Sequence, residues 1–318
     1  MYAADTWKLD DAWEVDAGLR RVWRREEGNR GVIGTQTVAT TGPLAARTVT
    51  GLVGSVPYSK DMAGTSWTLG ASYKLAEPVN VFARYTESFS FPRLSEQWGN
   101  VVNGVGGRMP DGSATPVTPI RQAELGVKYA TRPLELVLIG FYSDFRKLNS
   151  STYVANANGL LVNVPLLIDT RTEGVEFEGT WRPLGGLELT GSVTLQDPRI
   201  SGADTFSGLS GAALVDNEIP RVPKYSWSLQ PSYRFQVGEV DARAYATWFG
   251  TGRRFQDFTN ASVLPAYRTL DLGLHLQLDA NLSAQLLCTN VTDSHGLTEG
   301  NARAPGLSGD LCLLYTSE

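Results

Sequence analysis

From Leu187 to Gln196 apolar and polar residues alternate one by one. Leu187, Leu189, Gly191, Val193 and Leu195 fall on one face of an extended chain, and Glu188, Thr190, Ser192, Thr194 and Gln196 fall on the other. Leu270 to Leu278 repeats the pattern, with five leucines on one face and Asp271, Gly273, His275 and Gln277 on the other. The same period of two runs through Trp67 to Leu75, Val79 to Tyr85, Ala123 to Tyr129, Val175 to Trp181, Tyr225 to Phe235, Val240 to Trp248 and Leu282 to Asn290. It is weaker in Trp13 to Trp23 and Leu134 to Tyr142, and each chain end supplies one more copy. The pattern predicts about thirteen amphipathic strands.

The connections alternate between short and long. The short ones are turn-formers: Asp10-Asp11, Ala76-Glu77-Pro78, Thr131-Arg132-Pro133, Pro183-Leu184-Gly185-Gly186, Val237-Gly238-Glu239 and Asp279-Ala280-Asn281. Long polar stretches, read as loops, fall between them: Glu26 to Gly64, Ser90 to Thr118, Lys147 to Ile168, Asp197 to Arg221, Thr251 to Pro265 and Asp293 to Leu307.

Alternation alone suits a soluble sandwich as well as a membrane barrel. The aromatics separate the two. The apolar row ends in Tyr73, Tyr129, Trp181, Tyr233 and Tyr315 beside the short turns, and in Trp23, Tyr85, Tyr142 and Trp248 beside the long loops. Membrane–water interfaces select such rings, because Trp and Tyr keep an apolar body in lipid and a polar tip in water. The fold expected is all-β: an antiparallel transmembrane β-barrel with its apolar face outward, short turns at one end and long loops at the other.

Composition narrows the function classes. Of 318 residues, 19% are charged and 33 are glycine, which suits strands and loops and argues against disorder. The net charge of -5, with no basic block, disfavours nucleic acid as a partner. No apolar run is long enough for a spanning helix, and the first residues, MYAADTWKLD, lack the pattern of a signal peptide.

Several segments are familiar. Tyr2 to Arg20, Val79 to Glu96 with its Phe89-Ser90-Phe91-Pro92 loop entry, Glu124-Leu125-Gly126-Val127-Lys128-Tyr129, Thr172-Glu173-Gly174-Val175-Glu176-Phe177-Glu178, Asn290-Val291-Thr292-Asp293 and Pro305-Gly306 follow one another in order. Together they resemble the barrel domain of TonB-dependent outer-membrane receptors. The resemblance implies a 22-stranded barrel around a plug domain, in the outer membrane of a Gram-negative bacterium. It also implies TonB-driven uptake of a scarce nutrient such as a ferric siderophore, cobalamin or an oligosaccharide, with the TonB complex, the barrel assembly machinery, outer-membrane lipid and a small ligand as partners. At about 24 residues per strand, 22 strands would need about 540 residues. Residues 1–318 are therefore expected to be one domain, the C-terminal part of such a barrel, without plug or TonB box. The end, Leu313-Leu314-Tyr315-Thr316-Ser317-Glu318, departs from the terminal aromatic usual in the family. A passive porin and a soluble β-rich binding protein are the alternatives.

No enzymatic or metal constellation emerges, and no cofactor is expected. Gly208-Leu209-Ser210-Gly211 and Gly306-Leu307-Ser308-Gly309 lack the last glycine of a nucleophile elbow, and the only two histidines, His275 and His295, are far apart in sequence. Phe91, Arg93 and Trp98 in one long loop, and Arg253, Arg254, Phe255 and Phe258 in another, are the candidate ligand contacts, as cationic forks and stacking surfaces. Arg84, Lys128, Glu176, Glu178, Arg234, Asp241, Arg243, Asp271 and His275 are expected to line a polar lumen. Cys288 should face lipid and Cys312 the lumen of a neighbouring strand, which disfavours a disulfide.

Overall fold

The computed structural model describes residues 1–38, 47–92, 116–155, 161–205, 210–300 and 311–313. Twelve strands form one antiparallel sheet: β1 (Tyr2–Lys8), β2 (Trp13–Val38), β3 (Arg47–Ala76), β4 (Val79–Ser90), β5 (Thr118–Ala130), β6 (Leu134–Ala155), β7 (Leu161–Leu184), β8 (Leu187–Thr205), β9 (Tyr225–Val237), β10 (Val240–Thr251), β13 (Tyr267–Gln277) and β14 (Ser283–Cys288). Each pairs with the next, so the sheet is a pure meander with β1 and β14 at its edges. β11 (Arg254–Phe255) and β12 (Val263–Leu264) make a small separate hairpin, as do β15 (Leu297–Gly300) and β16 (Leu311–Leu313).

Three expectations change. The thirteenth strand, at the chain end, does not join the main sheet: Leu311–Leu313 pairs with β15 instead. Cys312 is therefore not on a strand beside β14; Cys288 is a free, exposed thiol on the apolar row opposite Leu272. The stretches Glu26 to Gly64 and Lys147 to Ile168 are largely ladder and not loop. β2 and β3 pair continuously through Glu26↔Lys60 to Val38↔Arg47, and β6 and β7 through Leu148↔Ile168 to Ala155↔Leu161. Tyr315 lies outside the described residues.

The short turns are where the sequence places them, and side chains close them. Asp10 Oδ1 accepts from the backbone N–H of Ala12 (2.8 Å) and of Trp13 (2.7 Å), and Asp279 Oδ1 does the same for Asn281 (2.7 Å) and Leu282 (3.0 Å). Gly186 sits at φ +84°, and a Cβ there would lie 2.4 Å from the carbonyl oxygen of Arg234, so this turn requires glycine.

Within the main sheet, register puts the predicted apolar rows of β2 to β10, β13 and β14 on one face. Val15↔Ala71↔Ala83↔Leu125↔Gly140↔Val175↔Leu195↔Tyr225 is one such line across β2 to β9, and Ala244↔Leu274↔Leu286 continues the face over β10 to β14. This face is bare: Leu286 is 71% exposed, Leu125 62% and Leu19 55%. Among the described residues the buried apolar side chains, Ala242 beside a short turn excepted, sit instead at the loop end. There Leu166, Ile168 and Leu214 form a small core with Leu148, Ala203 and Phe258, and Leu214 comes from a one-turn 3-10 helix (Gly211–Leu214) between β8 and β9. A sheet that exposes its leucines and packs its core over its rim is built inside out relative to a soluble sandwich.

Candidate functional site

Three surfaces carry chemistry: the boundary of the apolar face, the polar wall and the loop-end rim. At the boundary, the outward row turns from aromatic or aliphatic to charged within a single strand step. Tyr85 is followed by Glu87, Tyr142 by Asp144, and Leu195 by Asp197 and Arg199, while Ala123 is preceded by Arg121. Trp67 Nε1 and the Tyr85 hydroxyl donate to the Glu87 carboxylate at 3.2 and 3.0 Å, and Arg121 Nε lies 3.2 Å from the same group. The aromatics thus present their polar tips to a row of ions, the arrangement a lipid–water interface requires. Beyond it, Arg199 lies 2.9 Å from Asp197 and holds that carboxyl below its ordinary range, and Lys224 lies 3.4 Å from the same group.

The opposite face is the polar wall, and all nine residues expected in the lumen fall on it. Arg84 Nη2 lies 3.5 Å from Asp16 Oδ1. Lys128 stands over the ring of Phe82 at 4.9 Å. Asp241 accepts from Gln236 Nε2 (2.9 Å), and Asp271 from the backbone N–H of Asn290 (2.7 Å). Arg234, Arg243 and His275 share one rung across β9, β10 and β13. Glu176 and Glu178 stand on β7 two residues apart. A concavity of about 560 Å³ on this wall is lined in part by Glu14, Asp16, Lys74, Arg84, Glu124 and Lys128.

Aromatic side chains flatten the wall by lying across glycines. Phe82, Phe141 and Tyr245 face Gly126, Gly174 and Gly273 in register, and a Cβ added to these glycines would sit 2.3, 2.8 and 2.1 Å from the respective ring. Tyr245 in turn carries Arg243 over its ring at 5.8 Å and accepts from Gln285 Nε2 at 2.8 Å. Gly273→Val should expel Tyr245 and cost about 1–3 kcal/mol. Gly185→Ala, where a Cβ meets nothing within 4 Å, should leave stability unchanged. Urea midpoints of the two variants check this.

At the rim, the loop between β8 and β9 is tied to the loop between β10 and β13. Asn217 Nδ2 donates to the carbonyl of Phe258 (2.8 Å), Asn260 exchanges two bonds with the backbone of Glu218 (2.8 and 3.0 Å), and the N–H of Arg221 donates to Phe255 (2.7 Å). Asp257 holds its own loop by accepting from the N–H groups of Thr259 and Ser262, both at 2.9 Å. Of the candidate ligand contacts, Arg254 is buried: it lies over Tyr267, and its Nη2 donates to the carbonyls of Leu297 (3.0 Å) and Thr298 (3.2 Å). Arg253 is half exposed over Phe255 at 5.0 Å and pairs with buried Glu218 at 3.2 Å. Phe258 packs into the rim core, and Phe91 packs against Phe89 with centroids 4.9 Å apart. Arg93 and Trp98 lie outside the described residues. Glu218, Asn217, Asn260 and Asp257 escaped the sequence reading, although Asp257 and Asn260, within a polar stretch, carry the Asx-turn signal.

Residues 1–291 match the family model described as TonB dependent receptor-like, beta-barrel. No curated protein sequence matches the chain. Among solved structures, the ferric yersiniabactin uptake receptor FyuA from Yersinia pestis superposes with a TM-score of 0.70 at 17% identity, covering 98% of this chain and 42% of that one. The ferric-catecholate import receptor Fiu from E. coli K12 gives 0.65 at 20% identity (96% and 41%), and the copper transporter OprC gives 0.69 at 15% identity (93% and 42%). The chain thus spans about two fifths of the length of these structures, and the likeness is one of fold. Outward apolar face, aromatic boundary, polar inner wall and long loops at one end are those of a partial transmembrane barrel, and the chain belongs to the TonB-dependent receptor-like β-barrel family.

Proposed function

We propose that this chain is barrel wall from an outer-membrane receptor that imports a scarce nutrient with energy delivered through TonB. The observation that carries the proposal is the inside-out twelve-stranded sheet, matched to the receptor family over residues 1–291. The apolar row would face outer-membrane lipid, the polar wall a filled lumen, and the rim the cell exterior, after insertion by the barrel assembly machinery. A ferric chelate leads among the nutrients, because FyuA is named as a ferric yersiniabactin uptake receptor and Fiu as a ferric-catecholate import receptor; cobalamin and oligosaccharides follow. In the rim, Arg253 on Phe255, together with Phe91, Arg93 and Trp98, is proposed to meet the ligand, while Arg254 fixes the loops that present it. Rigid support of exposed contacts is what binding loops need.

The test is growth of the source bacterium on defined iron, cobalamin or glycan supplies, with and without the gene. Loss of growth on one nutrient, reproduced by deleting TonB, is the expected result. Uptake that persists without TonB would favour the passive porin, and a protein recovered only in the soluble fraction would contradict both.

A further inference from the structure

The loop between β8 and β9 is held to the sheet by its own strand. The N–H of Asp216 donates to the carbonyl of Ile200 (2.9 Å), that of Ile200 to Asn217 (2.9 Å), and that of Ile219 to Pro198 (3.2 Å). The loop between β10 and β13 carries the β11–β12 hairpin and lies against this anchored loop. Contacts of every kind cross between the two. Phe258 packs on the small core that holds Leu214, the N–H of Arg221 donates to Phe255, and Asn217 and Asn260 each bond to the backbone of the opposite loop. The Glu218 carboxylate, 5% exposed, takes Arg253 from the opposite loop at 3.2 Å and Lys224 from its own side at 3.3 Å. Arg221 and Asn260 hold φ values of +67° and +55°, in the left-handed region, which an arginine adopts less readily than an asparagine. Such conformations persist where neighbours over-determine them, and at both residues a bond from the opposite loop does so.

We infer that the β10–β13 loop is a strap latched onto the β8–β9 loop, with Glu218 and Asn260 as the latch, so that the two loops open together or not at all. Independent loops would each have to offset the entropy of ordering their own residues, whereas these two share the bonds that order them. Separation would expose Leu214 and Phe258, take Arg253 from a buried carboxylate and leave Arg221 in a disfavoured conformation without its support. Segments bound in this way lose their protection as one unit. Arg253 and Phe255 ride on the strap, and Arg254 ties it to Leu297 and Thr298. The latch therefore sets where Arg253 stands at the mouth before any ligand arrives. That consequence rests on the proposed role of Arg253 in ligand contact; the latch itself does not.

The experiment measures backbone hydrogen exchange by mass spectrometry in the protein made from its complete reading frame, held in outer-membrane vesicles. Peptides covering 210–224 and 252–264 should both be protected. Asn260→Ala removes two bonds that cross the latch and should speed exchange about tenfold or more in both segments, although residue 260 lies in only one of them. Asn217→Ala should act on both segments from the other side. Glu218→Gln keeps the shape of the side chain and loses its charge; it should speed both segments, and should do less when added to Arg253→Gln than it does alone. Heat-modifiable migration confirms that the barrel of each variant is folded. Faster exchange confined to the substituted loop, full additivity of Glu218→Gln and Arg253→Gln, or unprotected loops in the unsubstituted protein would overturn the inference. Uptake is not part of the readout, so failure of the latch and failure of the ligand assignment give different results.

Discussion

Arginine in place of Leu274 should destabilise the protein in a lipid bilayer by about 2–4 kcal/mol, whereas arginine in place of Gln230 should cost under about 1 kcal/mol. Both residues are mid-strand. Leu274 lies on the outward row between Ala244 and Leu286, so a guanidinium there has only hydrocarbon around it. Gln230 lies opposite Thr190 on the polar wall, where water or polar groups solvate the charge. Denaturant midpoints in phospholipid vesicles check the pair, and equal tolerance would mean that the two faces are wrongly assigned.

Residues 1–318 made alone should not form a discrete, closed pore. The main sheet ends at β1, seven residues long, and β14, six residues long, and neither edge strand pairs with the other. In hydrocarbon every unpaired backbone group costs several kcal/mol, so two open edges outweigh the gain from burying the outward row in lipid at those strands. Aggregation, or broad and irregular conductance in planar bilayers, is the expected outcome. A single reproducible conductance level with heat-modifiable migration would show that the twelve strands close by themselves.

How much of this was legible in the sequence depended on where lipid imposes contrast. Within the membrane band each strand must be apolar on one face, so Leu187 to Gln196 and Leu270 to Leu278 announced both their conformation and their orientation. The turns were equally plain, because Asp10, Asp279 and Gly186 perform backbone chemistry that few residues can. Above the band the constraint vanishes. From Glu26 to Gly64 the alternation fades, and a stretch rich in Gly, Ser and Thr carries the composition of a loop although β2 and β3 pair through most of it. The rim was half legible: Arg253 and Phe255 stood out by residue type, but the buried role of Arg254 depends on Leu297 and Thr298, more than forty positions away. No local pattern records such a contact. The rung of Arg234, Arg243 and His275 was visible as three inward residues, yet their alignment required the register.

The decisive property of this sheet is which of its faces meets lipid. Spin labels placed singly along β13 from Leu270 to Gln277, in protein embedded in outer membranes, report this through collisions with oxygen, which concentrates in hydrocarbon. Oxygen accessibility is predicted to oscillate with a period of two, with maxima at 270, 272, 274 and 276 and minima at 271, 273, 275 and 277. A flat profile, or maxima at the odd-numbered positions, would contradict it.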